Sequence, residues 1–229
     1  MRNPKLKESY VCVGWDIIVA CCYKSKAVGI GVGTPVWEAK RILKDKWVFL
    51  WTDISFYTKI SEHIMELLRQ ETLYIEEFSI DEAFCEISGI PEYFKISTFQ
   101  FAQNLQNKIL KEIGIPVSIW IANTRIKSKI FSTVKKPFGI FYPDVLEEKD
   151  IFEKLPLKRI PFVWKSSQNK LAYKSKSILD FLHLWFWQIK KELWKTWANL
   201  WMELMGIDVY IVKKSKQIKS ISRTRSFNH

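Results

Sequence analysis

Cysteine is scarce in this sequence, and apolar runs of membrane-spanning length are missing from it. The four cysteines, Cys12, Cys21, Cys22 and Cys85, lie in apolar surroundings and form no C-x-x-C pair. This usage indicates reduced, buried thiols instead of a zinc site or a disulfide framework. The first residues do not have the pattern of a signal peptide. We therefore expect a cytoplasmic protein that has no membrane role.

Acidic residues are also in short supply. The 229 residues include 24 Asp and Glu against 36 Lys and Arg, which gives a formal net charge of +12. Such an excess favours a polyanionic partner, and nucleic acid is the first choice. A hydrophobic content of 48% with 15% aromatic residues is ample for a packed core.

The hydrophobic pattern changes character along the chain. Strands are predicted at 11–22 (with a turn near Gly14), at 74–88 (broken around Asp81) and at 117–122, whereas helices are predicted at 36–43, 55–69, 97–113 and 126–134. Beyond Val145 the periodic segments are helical as far as 209–212. A β-rich first half followed by a helical second half predicts an α+β fold with a separate helical domain.

Two adjacent carboxylates, Asp81 and Glu82, stand between the apolar runs 74–78 and 84–87. Two adjacent carboxylates between apolar strands cost free energy, because they lose hydration and repel each other unless a cation or another partner interacts with them. Consecutive residues of a regular strand face opposite sides, so the two side chains can share a metal only where the chain bends. For an isolated pair, a surface turn with two solvated acids is the alternative.

Basic residues are concentrated in the stretch between Asn123 and Lys136, which contains no acid. They are Arg125, Lys127, Lys129, Lys135 and Lys136. Charge alone predicts a solvated helix face here. Judged by the chemistry of its side chain alone, Tyr23 is expected to be an aromatic residue of the core. Lys26, judged in the same way, is expected to be a solvated lysine.

Three motifs carry a family resemblance. The string YIEEFSIDEAF at 74–84, the K-P-x-G motif from Lys136 to Gly139 and the closing SRTRSF at 222–227 resemble the Y-family translesion DNA polymerases, of the bacterial polymerase IV kind. The resemblance implies an α+β polymerase palm with fingers and a helical, helix-hairpin-helix thumb. It implies fingers at 1–51, palm at 52–143, thumb at 144–212, and the linker and start of the little finger at 213–229.

The resemblance also implies roles for individual residues. Asp81 and Glu82 are catalytic and bind two Mg²⁺ ions, and Tyr23, Lys26 and Lys136 contact the incoming deoxynucleoside triphosphate. Carboxylates gathered without their metal repel one another, so neutralising Asp81 or Glu82 is expected to leave folding intact or slightly improved.

Further residues are assigned by the resemblance to primer–template DNA. They are Lys165, Ser166, Ser167, Arg223 and Arg225. Phe162 and Trp164 stand where the hairpin of the thumb normally has glycine. A sliding clamp is a further partner, expected to bind through C-terminal parts of the family that the sequence does not contain.

The sequence does not include every segment that members of the family contain. It begins just downstream of a first palm strand that carries a metal-binding acid and a steric gate, and it ends as the little finger starts. We therefore expect a DNA polymerase fragment, truncated at both ends and inactive alone. The alternatives are a non-catalytic DNA-binding remnant, an inactive gene fragment and, more weakly, a palm-type cyclase, which would have no duplex for the basic thumb and tail to hold.

Tryptophan outnumbers glycine, with 11 Trp and 8 Gly. Five of the tryptophans stand where the resemblance calls for glycine: Trp15, Trp120, Trp164, Trp194 and Trp197. Ordinary divergence is one explanation. The other is a UGA codon that the source organism reads as Gly and that was translated here as Trp, in turns where positive φ favours glycine. This hypothesis predicts UGA at all five codons and UGG at Trp37, and UGG at all five would contradict it.

Overall fold

The structure is a computed structural model that describes residues 4–44, 46–161, 175–184 and 186–212. It divides into two compact units, Met1–Glu62 and His63–His229. The predicted DNA-binding residues lie outside the described residues, as does Trp164: they are Lys165, Ser166, Ser167, Arg223 and Arg225.

The first unit contains a three-stranded sheet of β1 (Tyr10–Gly14), β2 (Ile18–Cys21) and β3 (Trp47–Leu50). Strand β1 is central, antiparallel to β2 and parallel to β3. The β1–β2 hairpin confirms the strand and turn predicted at 11–22. Gly14 is required at the turn, because a Cβ there would lie 2.1 Å from the carbonyl oxygen of Ile17.

Two helices complete this unit, α1 (Tyr23–Ala27) and α2 (Val36–Leu43). Helix α2 starts after Pro35, a residue well suited to a helix start. The core of the unit consists of Cys12, Ile18, Ile30, Ala39 and Leu43. All four cysteines of the chain are free thiols, as predicted, although only Cys12 is fully buried.

Helix α3 (Ile54–Glu71) contains the boundary between the units. The remaining elements are β4 (Tyr74–Ser79), β5 (Glu82–Glu86), α4 (Ile90–Tyr93), α5 (Thr98–Ile113), β6 (Ile119–Trp120), α6 (Arg125–Phe131), β7 (Ile140–Phe141), α7 (Val145–Lys154), α8 (Ile178–Leu182) and α9 (Phe186–Leu204). Strands β4 and β5 form one antiparallel pair, and β6 and β7 form one parallel pair. The mixed fold confirms the α+β prediction.

The ends of these elements follow from local chemistry in some places and from tertiary contacts in others. The Ser97 side chain caps α5 by accepting from Gln100 N at 3.1 Å, and Gly114 ends the helix at a φ of 78°. The strand predicted at 117–122 is shorter, because β6 pairs with β7 only at Ile119 and Trp120.

Two apolar cores lie in the second unit. One joins α3, β4 and α5 through Met65, Leu68, Ile75, Phe101, Leu105 and Ile109. The other joins α6 and α7 to α8 and α9 through Ile126, Ile130, Phe131, Phe152, Phe181, Ile189, Leu200 and Leu204. The second core therefore packs residues on both sides of position 143, where the sequence predicts a boundary between palm and thumb.

Where the structure describes them, the tryptophans that stand at expected glycine positions do not have the positive φ that favours glycine. Trp194 and Trp197 lie inside the single helix α9, so neither stands in a turn. Trp197 is 8% exposed and packs 5.6 Å from the ring of Phe181. The described non-glycine residues with positive φ include no tryptophan. The codon hypothesis stays a prediction, but backbone strain at the described tryptophans does not support it.

Candidate active site

The two predicted carboxylates lie at the tip of the β4–β5 hairpin. The register pairs Ser79 with Glu82, with an irregularity between Glu77 and Ser79, so Ile80 and Asp81 form the turn. Strand β5 begins at Glu82. The chain therefore bends where sequence reasoning required a bend for the two carboxylates to act together.

Asp81 is exposed and held by its own turn. The Ser79 hydroxyl donates to Asp81 Oδ1 at 2.6 Å, and the Asp81 N–H donates to the Ser79 oxygen at 3.4 Å. These two contacts hold the carboxylate at the exposed tip of the hairpin, where a cation can reach it.

Glu82 has a cationic partner that the sequence did not indicate. Its Oε2 forms an ion pair with Lys129 Nζ of α6, and the same ammonium lies 4.8 Å from the ring centre of Phe78. A second cation of α6, Arg125, bonds Glu76 Oε1 at 2.8 Å and lies over Phe84. Helix α6 therefore directs two cations to the carboxylate hairpin.

The basic stretch at 123–136 is not the solvated face that charge alone predicts. Lys127 is 7% exposed and bonds Glu148 of α7 at 2.6 Å. Three of the five basic residues, Arg125, Lys127 and Lys129, are thus paired with acids of other elements. Those acids are distant in sequence, so the pairing could not be found from the local composition.

Lys136 lies in the tight turn after α6, and it is exposed, with its ammonium 4.8 Å from the ring centre of Trp120. Lys135 and Phe138 on either side have φ of 55° and 51°. A Cβ on Gly139 would lie 1.9 Å from the carbonyl oxygen of Lys135. The turn that presents Lys136 therefore depends on glycine at this position.

Tyr23 and Lys26 come together in the first unit. Tyr23 is 52% exposed, and Lys26 Nζ lies 4.9 Å from the centre of its ring. The prediction of a core aromatic residue is wrong, because Ser25 takes the buried position of the short helix α1. An exposed tyrosine beside a lysine offers a hydroxyl and a positive charge to an anion.

A cavity of about 370 Å³ lies against the hairpin, lined by α3, β5, α5 and β6. Asp81 and Glu82 line it, and so does Asp208, which sequence reasoning missed. Burial raises the pKa of Asp208, and nearby Glu203 and Glu86 raise it further, whereas Arg125 lowers it. Asp208 is a single acid after α9 and belongs to no motif, so nothing in the sequence indicates that it lies at this cavity.

Oxygen ligands are what Mg²⁺ prefers, and its protein sites often use one or two carboxylates together with substrate phosphates. Asp81 and Glu82 fit that description. Glu82 would have to release its ion pair with Lys129 in order to bind the metal. The described residues contain no group of three or more metal-binding side chains. The chain's own share of such a site, as far as it is described, is therefore this pair.

The ion pair with Lys129 changes the expectation for Glu82, whose neutralisation should cost stability. Glu82→Gln should lower the free energy of unfolding by about 0.5–1 kcal/mol, because it leaves a half-buried lysine unpaired. Asp81→Asn, at the exposed neighbour, is the matched control and should have almost no effect. Urea unfolding measures both.

A double-mutant cycle with Lys129→Met isolates the pair. The double variant should recover part of the loss caused by Glu82→Gln, because no unpaired cation remains. If Glu82→Gln alone raises stability, repulsion between the two carboxylates outweighs the ion pair.

Comparison with known proteins places this chain in a family. The impB/mucB/samB family matches residues 1–133. The chain is 28% identical over 172 residues to DNA polymerase IV 2 of Mesorhizobium japonicum, covering 75% of the chain and 41% of that protein. It is 27% identical over 233 residues to DNA polymerase IV of Desulfatibacillum aliphaticivorans, covering 100% of the chain and 58% of that protein. The chain thus spans about half the length of these relatives.

Solved structures share the fold. An insertion ternary complex of Dbh DNA polymerase matches 94% of the chain and 66% of its own chain, with a TM-score of 0.80 and 22% identity. DinB from Sulfolobus solfataricus matches 89% and 61%, with a TM-score of 0.70 and 23% identity. None of the helices in the described ranges is long and apolar enough to cross a membrane. The chain belongs to the impB/mucB/samB family and has the Y-family polymerase fold that its motifs predict.

Proposed function

We propose that the chain belongs to a DNA-directed DNA polymerase of the translesion type, which copies damaged template in the cytoplasm. The observation that carries this proposal is the β4–β5 turn, which presents Asp81 and Glu82 side by side in a member of the family. The domain division follows the resemblance: fingers at 1–51, palm at 52–143, thumb at 144–212, and the linker to the little finger at 213–229.

Asp81 and Glu82 hold Mg²⁺ in this proposal, with two ions expected in the working enzyme. When bound, the ions bring a primer 3′-hydroxyl and the α-phosphate together and neutralise the developing charge. To hold the metal, Glu82 would have to give up its ion pair with Lys129, whose ammonium would then be available to phosphate oxygens. The ion pair keeps Glu82 near its binding position before substrate arrives.

Tyr23, Lys26 and Lys136 bind the triphosphate of the incoming deoxynucleotide. The exposure of all three and the pairing of Tyr23 with Lys26 support this assignment. Lys165, Ser166, Ser167, Arg223 and Arg225 contact the backbone of primer–template DNA, which their polar and basic side chains suit. A sliding clamp remains a proposed partner of the whole protein.

Primer extension tests the proposal. The 229-residue chain should show little or no extension with Mg²⁺, because the described residues supply only one pair of carboxylates and Lys129 competes for one of them. Any extension that does occur should be lost in Asp81→Ala and retained in Glu147→Ala, an exposed acid at the start of α7. Extension that survives Asp81→Ala would contradict the assigned site.

DNA binding without catalysis is the alternative function. It is favoured by the net charge of +12 and by the lack of a three-ligand metal cluster among the described residues. Under this alternative the chain binds primer–template DNA with a steep salt dependence, and Asp81→Ala changes neither affinity nor extension.

A further inference from the structure

Three of the four cysteines lie together in the first unit. Cys12 of β1 pairs directly with Cys21 of β2, and Cys22 is the next residue of the chain. The side chain of Ser25 connects two of these thiols. The Cys12 S–H donates to Ser25 Oγ at 3.7 Å, and Cys22 Sγ lies 3.4 Å from the same oxygen. The fold thus brings thiols from both ends of the β1–β2 hairpin to one hydroxyl group.

The backbone pairing shows that Cys12 and Cys22 are close enough to be joined by a disulfide. The Cys22 N–H donates to Val11 O at 3.0 Å, so Cys12 and Cys21 form the adjacent, non-hydrogen-bonded pair. Opposed Cα atoms of such a pair are about 4.5 Å apart, and the next residue lies about 3.3 Å further along the strand. The Cα atoms of Cys12 and Cys22 are therefore about 5–6 Å apart, which is within the range of disulfides.

The other two pairings within this group are less suitable. Cys21 and Cys22 are consecutive, and their Cα atoms, about 3.8 Å apart, are closer than an unstrained disulfide allows. The Cys21 S–H donates to Ile30 O at 3.4 Å, so its sulfur has a different partner from the one that Cys12 and Cys22 share. Cys12 is therefore the thiol best placed to react with Cys22.

Cys22 has the surroundings of a reactive thiol. Burial raises the pKa of Cys22, but hydrogen bonds from the Ser25 side chain and from nearby backbone groups outweigh burial, so that its pKa is lowered. One of those bonds comes from the Val11 N–H, which donates to Cys22 Sγ at 3.3 Å. Burial raises the pKa of Cys12, which is 0% exposed, whereas Cys22 is partly exposed. An accessible thiolate beside a protected thiol is typical of redox-sensing cysteines.

We propose that Cys22 and Cys12 form a redox-sensitive pair, in which hydrogen peroxide oxidises Cys22 and Cys12 converts the product to a disulfide. In the first step the Cys22 thiolate attacks one peroxide oxygen, the O–O bond breaks, and a sulfenic acid and hydroxide form. In the second step the Cys12 sulfur attacks the Cys22 sulfur, the S–O bond breaks, and the departing hydroxide takes the Cys12 proton as water. Two thiols and one peroxide thus give one disulfide and two waters, and a dithiol reverses the change.

The disulfide changes what holds helix α1 in place. Ser25 is the buried residue of this short helix. Both sulfurs must leave Ser25 Oγ in order to join, and its hydroxyl then keeps its bond to Val11 O at 3.3 Å. Helix α1 should therefore be held less firmly in the oxidised chain. Tyr23 and Lys26 belong to α1, so oxidation should weaken triphosphate binding, a consequence that rests on the proposed function.

Peptide mapping of the full chain tests the proposed pair. The reduced chain is treated with hydrogen peroxide, its remaining thiols are blocked with iodoacetamide, and it is cleaved after lysines and before Asp16, which separates Cys12 from Cys21 and Cys22. Tandem mass spectrometry should find Cys12 linked to Cys22 and the blocking group on Cys21. Dithiothreitol should release the link. A chain whose thiols stay reduced, or a disulfide that uses Cys21 or joins two chains, would overturn the proposal.

Single-cysteine variants separate the roles of the thiols. Cys12→Ser should leave a sulfenic acid on Cys22 that dimedone traps, whereas Cys22→Ser should give neither this adduct nor the disulfide. Cys21→Ser is the matched control and should form the disulfide as the unmodified chain does. Cys22 should react at least about tenfold faster than Cys85, because burial raises the pKa of Cys85 to about 11. A disulfide in Cys22→Ser, or equal reactivity of Cys22 and Cys85, would show that Cys22 is not the reactive thiol.

Hydrogen exchange and nucleotide binding measure the consequence for α1. The amides of Tyr23–Ala27 should exchange several-fold faster in the oxidised chain, and dithiothreitol should restore the slower rate. A fluorescent deoxynucleoside triphosphate should bind the oxidised chain at least about fivefold more weakly than the reduced chain. Equal exchange rates in the two states would contradict the loosening of α1. Absence of nucleotide binding by the reduced chain would count against the proposed function, whereas peptide mapping decides the thiol pair in either case. If Cys12→Ser does not fold, mapping of the unmodified chain is also sufficient.

Discussion

Gly139→Ala should destabilise the second unit by about 3 kcal/mol or more. The added Cβ would lie 1.9 Å from Lys135 O, 2.9 Å from Lys135 C and 3.0 Å from Lys135 Cβ. Two of these three atoms belong to the backbone, which cannot move aside as the end of a side chain can. The turn would have to open, and the Gly139 N–H would lose its bond to Ser118 Oγ at 3.3 Å.

Urea unfolding of Gly139→Ala measures the effect, and Gly31→Ala is the matched control. A Cβ at Gly31 meets nothing within 4 Å, so that change should leave the midpoint almost unaltered. The proposed function adds a second readout: because Lys136 lies in the same turn, nucleotide binding should weaken together with stability. Equal unfolding midpoints for the two variants would contradict the predicted clash.

Glu203→Ala should cost about 2–4 kcal/mol. Glu203 lies one residue before the end of α9, and it is completely buried. Its Oε1 accepts from the N–H groups of Val209 and Tyr210, both at 2.6 Å, and so holds the segment after the helix in place. Alanine removes the acceptor and leaves two partly buried backbone amides unpaired.

Glu203→Gln is the control that separates hydrogen bonding from charge. The amide keeps an oxygen for Val209 and Tyr210, and it replaces Oε2, a buried atom that has no hydrogen-bond partner. We expect this variant to unfold within about 1 kcal/mol of the unmodified chain. A loss as large as that of alanine would show that the negative charge itself is needed, and no loss in either variant would refute the anchoring role.

The sequence by itself determined those features that depend only on residues a few positions apart in the chain. Apolar runs on both sides of Asp81 and Glu82 predict two strands with a break between them, because adjacent carboxylates interrupt a buried strand. Ser97 and Gly114 predict the ends of α5, since capping needs only groups within a few residues. The family motif around Asp81 predicts metal binding at this turn, which composition and periodicity alone left open.

Tertiary structure decided which charges meet. Lys129 and Glu82 are 47 residues apart, and Arg125 and Glu76 are 49 apart, so no pattern within a helix or strand could pair them. Acids from the hairpin and α7 therefore partly neutralise the basic residues of α6, although the sequence of this stretch contains no acid of its own. The same limit applies to Asp208, whose environment is created by Glu203 and Glu86.

Long-range pairing also decided the extent of the sheet. The segment 117–122 has strand propensity throughout, yet its β6 strand is confined to Ile119 and Trp120, where β7 supplies backbone partners. Propensity depends on the residues of one segment, whereas a strand forms only where another chain segment completes its hydrogen bonds. The apolar residues and the carboxylates were thus evident in the sequence, but the pairing of β6 with β7 was revealed only by the tertiary structure.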